Sequence, residues 1–126
     1  MIGIWMLRIS AVYMVIGLVL GLAMGISGDF LLSSVHAHLS LLGWTTMSIT
    51  GFVYVLFPAC CRSRLAALHC WGHNIGLPVM MASLTLYTLG HKSAEKAIGA
   101  GSTIVLLSLL VFTANLFLNG RTDPPQ

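Results

Sequence analysis

The sequence predicts an all-α integral membrane protein, a four-helix bundle that takes up the whole chain, and three observations carry that prediction. Hydrophobic residues make up 57% of the 126 and charged residues only 7%, against about 25% charge in a soluble domain. Four apolar stretches recur, each about the 20 residues that an α-helix needs to cross a hydrocarbon core of roughly 30 Å. Glycine, proline or charged residues punctuate the chain between them, so residues 1–126 form one membrane domain with no room for a second.

The first helix is expected at about 5–26. Its apolar run from Ile9 to Ile26 exceeds the 7 to 15 residues of a signal-peptide core, which marks it as a retained helix. Gly17, Gly21 and Gly25 recur every four residues along it, a strip that lets another backbone approach closely. Gly28, Asp29 and the Ser33-Ser34 pair form a turn, and the second helix follows at about 34–57, stopped by Pro58. A short basic loop, 58–64, leads to a third helix at about 65–89, where Pro78 removes a backbone donor and predicts a kink. Gly90 ends it. The fourth helix is expected at about 97–118, with a frayed tail at 119–126.

Composition also excludes several functions. The six basic residues Arg8, Arg62, Arg64, Lys92, Lys96 and Arg121 are scattered, so no patch for nucleic acid exists. Arg8, Arg62, Arg64 and Arg121 fall on one side of the four spans and Lys92 and Lys96 on the other, which puts both termini in the cytoplasm. Cys60, Cys61 and Cys70 form neither an even disulfide framework nor a CxxC pair and read as small apolar fillers. Asp29, Glu95 and Asp123 lie near membrane edges or in the tail, so no catalytic acid or nucleophile is indicated and no enzyme label is assigned.

The histidines carry the functional signal, because an ionisable residue inside a membrane helix is costly unless paired, ligated or solvated. His36 and His38 stand in the first turns of the second helix, as VHAHLSLLGW; His69 and His73 stand in the third, as LHCWGHNIG; His91 lies in a polar link and is solvated. The i, i+2 spacing of His36 and His38 points them about 200° apart, toward two different neighbours. His69 and His73 are i, i+4, share a face, and suit one metal, or one ligand with one hydrogen-bonded support. Neutral imidazole in apolar surroundings favours haem over a hydrated ion. The structural alternative is that each ring merely hydrogen-bonds across helices.

Helical rise tests which pairs share one iron. His38 is expected about 28 Å from the cytoplasmic end of its helix and His73 about 12 Å along the next, a mismatch of roughly 16 Å that disfavours pairing them within one chain. Histidines from the second helices of neighbouring subunits lie at equal depth around an axis along the membrane normal. His36 of one copy then faces His38 of the next, with one haem per interface.

VHAHLSLLGW, followed by TTMSITGFVYVLFP and HCWGHNIGLPVMM, resembles the histidine-bearing region of the catalytic subunits of haem–copper oxidases and nitric oxide reductases. Most of the chain is similar to short four-helix membrane proteins described as cytochrome oxidase subunit I-like. The large subunits have twelve helices in three arcs of four, so the resemblance implies that this chain is one arc and assembles as a homotrimer. It implies haem b, with His36 and His38 at the haem-ligand positions. The adjacent-histidine copper pair and the His-Pro-Glu-Val-Tyr type motif of the oxidases are absent, so oxygen reduction is not implied, nor is a copper role for His69 and His73.

The reading is therefore a b-type, bis-histidine haem protein of the bacterial inner membrane. It would pass electrons to or from a partner the sequence does not identify, or sense redox state or a diatomic gas. His69 and His73 form a second metal or haem site, or hydrogen-bond to Asn74 and, through Asn115, to the fourth helix. Two alternatives stand beside it. One is a copper- or zinc-binding membrane protein using His69 and His73 with sulfur from Cys70, Met80 or Met81; the other is a cofactor-free assembly subunit.

Overall fold

The computed structural model describes residues 2–120, and these are helical throughout apart from short links, with no strand. Of the tail expected to fray at 119–126, Asn119 ends the last helix and Gly120 caps it, while the remainder, with the Arg121 that enters the charge count, lies outside the described residues. In chain order the elements are α1 (Ile2–Ser27), α2 (Ser33–His38), a π-helical segment (Leu39–Thr46), α3 (Met47–Leu56), α4 (Pro58–Arg62), α5 (Arg64–Thr88) and α6 (Glu95–Asn119). A single 3-10 turn, Lys92–Ala94, precedes α6. α2, the π segment and α3 run on as one long helix, Ser33–Leu56.

Three of the long helices are long and apolar enough to cross a membrane: Ile2–Ser27, Ser33–Leu56 and Lys92–Asn119. α5 has comparable length but carries His69, His73, Asn74, Ser83 and Thr85 among its apolar residues. Its polar side chains are turned inward, with His69, His73 and Ser83 buried. A helix shielded by its neighbours has less need to be apolar all round.

The ends of the helices follow local chemistry. Gly28, at φ +69°, closes α1, and its N–H donates to Met24 O at 2.9 Å. Asp29 then accepts from the Leu31 N–H at 2.9 Å, bending the chain toward α2. Gly90, at φ +103°, reverses the chain after α5. The region expected as a basic loop is instead largely the helix α4, started by Pro58 at its first turn. Ser63 caps α5 by accepting from the Ala66 N–H at 3.3 Å. α5 continues through Pro78, which lies on an exposed face.

Small residues set the packing within two antiparallel hairpins. A Cβ on Gly3 would lie 2.7 Å from Gly51 O, one on Gly43 2.7 Å from the Tyr13 ring, and one on Gly21 2.8 Å from the His36 ring. These contacts zip α1 against the second long helix. In the other hairpin Gly72 faces Ser108, Gly76 faces Ile104 and Val105, and a Cβ on Gly101 would come 2.6 Å from Met80 N. Of the glycine strip on α1, Gly17 and Gly21 face the second long helix, whereas Gly25 has nothing within 4 Å.

Polar groups join one hairpin to the other. The Asn115 side chain of α6 donates to Cys60 O at 3.0 Å and accepts from the Ser63 hydroxyl at 2.7 Å. Trp5 and Trp71 rings meet at 6.5 Å. Gly101→Leu should therefore push α5 and α6 apart and cost about 1–3 kcal/mol. Gly25→Ala should be near neutral. Thermal unfolding of both variants in one detergent checks the contrast, and equal midpoints would refute the packing role assigned to Gly101.

Candidate functional site: four helix histidines

His36 and His38 sit in the last half of α2, immediately before the π segment, and both are half-buried. The His36 ring lies over Gly21, in space only a glycine leaves open, and its Nδ1 is 2.9 Å from Gly17 O. His38 Nδ1 is 2.7 Å from Ser34 O, one turn back on its own helix. The two rings thus take different supports: His36 leans on α1 and His38 on α2 itself.

His69 and His73 are wholly buried, at 0% exposure, on consecutive turns of α5. Their ring centroids are 5.7 Å apart with planes at 66°. His69 Nδ1 is 3.0 Å from the Tyr54 hydroxyl of α3, and His73 Nε2 is 3.1 Å from Leu42 O in the π segment. Phe112 of α6 covers His69 at 5.1 Å and meets the Tyr54 ring edge-on at 5.6 Å. The expected partners differ: Asn74 donates to Cys70 O at 2.8 Å, and Asn115 serves Cys60 and Ser63. α5 turns its histidines toward the second long helix, so Tyr54 and Leu42 meet them.

Carbonyl oxygens only accept, so each nitrogen facing one carries the proton. In the neutral rings His36 and His38 are protonated at Nδ1 and His73 at Nε2. The opposite nitrogens, Nε2 of His36 and His38 and Nδ1 of His73, each present a lone pair. Buried Nε2 of His69 and Nδ1 of His73 have no hydrogen-bond partner. A ring held through one nitrogen by an oxygen, with the other nitrogen bare, has the outer-sphere arrangement of a metal-ligating histidine.

Depth is where expectation and structure part most clearly. The bond to Leu42 places His73 beside a residue one turn beyond His38, about 6 Å of helical rise rather than roughly 16 Å. The link after Leu56 contains α4 rather than only a tight loop. His73 nevertheless has its Nε2 on Leu42, and nothing joins it to His38. Among the described residues no group of three or more His, Cys, Asp or Glu side chains is arranged to hold a metal. His91 is exposed in the turn before α6.

The π segment is the feature that sequence reading missed. Its hydrogen bonds span five residues, and the Thr45 and Thr46 hydroxyls reach the same distance back, to Ser40 O at 3.0 Å and Leu41 O at 2.8 Å. The adjacent threonines were the available signal, since each can satisfy a carbonyl that a widened turn leaves exposed. Nitrogen-15 NMR of histidine-labelled protein should show Nδ1–H tautomers for His36 and His38 and an Nε2–H tautomer for His73. The reverse assignment for any of the three would contradict these hydrogen bonds. No protein-family model matches the chain, and no curated protein and no solved structure matches it either.

Proposed function

We propose that the chain is a b-type haem protein of the bacterial inner membrane, a four-helix unit like one arc of a haem–copper oxidase subunit, that serves electron transfer. The observation that carries this reading is how His36 and His38 are held. Each has Nδ1 within hydrogen-bond distance of a backbone carbonyl, which leaves Nε2 unprotonated, the form in which imidazole binds haem iron.

The residues fit the group. Exposed side chains such as Leu18, Val19, Leu22 and Phe117 give the chain an apolar exterior, more suited to lipid or to another copy than to water. The opposed directions of His36 and His38 mean that one chain offers single ligands to two neighbours, so the reading includes a homo-oligomer, with a trimer favoured by the arc analogy. His36 and His38 would hold the haem, which would supply one-electron redox chemistry. Gly21 makes room for the His36 ring, Gly17 O orients it, and Ser34 O orients His38.

Absorption spectra of the detergent-purified protein from haem-replete cells, oxidised and reduced, test the proposal. The expected result is a Soret band unchanged by carbon monoxide, one haem per chain, and loss of haem in both His36→Ala and His38→Ala. Full haem retention in either variant overturns the ligand assignment. A colourless, intact oligomer favours the cofactor-free assembly subunit instead.

A further inference from the structure

At the end of the bundle where α1 and α5 both begin, the two hairpins leave a groove of about 490 Å³ between them, lined by Ile4, Trp5 and Arg8 of α1 and by Ala67 and Trp71 of α5. Helical period explains the set, since Ile4 and Arg8, like Ala67 and Trp71, stand one turn apart on one face. The Trp5 and Trp71 rings meet at 6.5 Å between centroids, yet stay 48% and 63% exposed. α1 and α5 belong to different hairpins and touch only sparsely, which leaves the groove open to the outside.

Among the described residues Arg8 is the one charged side chain that lines the groove, and it is exposed. A cation on the apolar face of a membrane helix is costly without a counter-charge. The two carboxylates among the described residues stand at the other end of the bundle: Asp29 follows the far end of α1, and Glu95 starts α6. Arg62 at the end of α4 and Arg64 at the start of α5 add positive charge at the groove's own end. Helical side chains lean toward the N-terminus, so Arg8, a turn farther in than Trp5, reaches back along the groove toward that end. Tryptophan is the side chain enriched where hydrocarbon meets lipid headgroups, and two indoles beside a guanidinium mark that level.

We propose that this groove binds one anionic phospholipid, with its phosphate on the Arg8 guanidinium and an acyl chain laid along Trp5, Ala67 and Trp71. The planar guanidinium matches phosphate oxygens with two parallel hydrogen bonds. A zwitterionic headgroup brings its own cation beside the phosphate, whereas an anionic one supplies the negative charge that this end of the bundle lacks. The small Ala67 leaves room for the chain one turn before the Trp71 ring. The site uses no residue of the proposed haem ligation, so either assignment can fail without the other.

Trp5 and Trp71 are two of the three tryptophans in the chain, so the groove carries its own fluorescent probe. The test reconstitutes the full-length Trp44→Phe variant into phosphatidylcholine vesicles with an equal minor share of brominated phosphatidylglycerol or brominated phosphatidylcholine. Bromine on an acyl chain quenches an indole only at contact, and each signal is taken relative to the same preparation in unbrominated lipid, so any resident chromophore cancels. The expected result is a relative association about fivefold higher for phosphatidylglycerol, the preference one arginine gives near anionic lipid. Arg8→Gln should bring that ratio close to one, whereas Arg62→Gln combined with Arg64→Gln should keep most of it. The wild-type protein, with Trp44 as background, should show the same order, a readout that stands even if a variant fails to fold. Equal quenching by the two lipids, a preference kept in Arg8→Gln, or one that disappears with Arg62 and Arg64 instead would each overturn the site. So would displacement of the lipid by inorganic phosphate, which reassigns Arg8 to a free anion, or no quenching by either lipid, the result of a second copy filling the groove.

Discussion

An imidazole placed among apolar helices has to put its N–H on an oxygen, and this chain meets that demand with backbone carbonyls and one phenol rather than with charges. Leaving a buried donor or acceptor unmatched costs about 1–3 kcal/mol, so the oxygen partners decide which way each ring faces. His73 reaches Leu42 O and His69 meets Tyr54 across the junction between hairpins. With Asn115 bonding Cys60 and Ser63, these contacts tie α5 and α6 to the second long helix and α4. In lipid there is no hydrophobic force to push helices together, and association rests on close packing and such interhelical hydrogen bonds. The residues read as functional and the residues holding the hairpins together are therefore partly the same.

Glycine supplies the complementary half of that arrangement. Gly3 against Gly51, and Gly101 against the Met80 backbone, bring helices near enough for dispersion contacts along their length. Gly21 does something different, since the space beside it is filled by the His36 ring and not by another backbone. One strip of small residues thus works as a packing seam at Gly17 and as a seat for the His36 ring four residues later.

Much of the helical layout was legible in the sequence because it depends on local pattern: apolar length, Pro58 as a stop, glycine at both reversals. The shared face of His69 and His73 was legible for the same reason, being a matter of helical period. Their partners were not. Tyr54 is fifteen residues from His69 and Leu42 thirty-one from His73, and a leucine attracts no notice as a hydrogen-bond partner because it acts through its carbonyl. The depth comparison between His38 and His73 assumed that the two helices start at one level, an offset that the bond from His73 to Leu42 O sets differently. Residue spacing gives distance along a helix well, but the offset between helices depends on their connection.

The widened stretch Leu39–Thr46 stands between the half of its helix that carries His36 and His38 and the half that carries Tyr54. A regular α-helix would lock both halves into one angular phase, about 100° per residue. A π turn slips that phase by a fixed amount, so the two halves present their side chains at an angle that a regular helix of the same sequence would not give. The His36 imidazole near one end thereby meets α1 while the tyrosine near the other meets α5, two different neighbours served from a single helix.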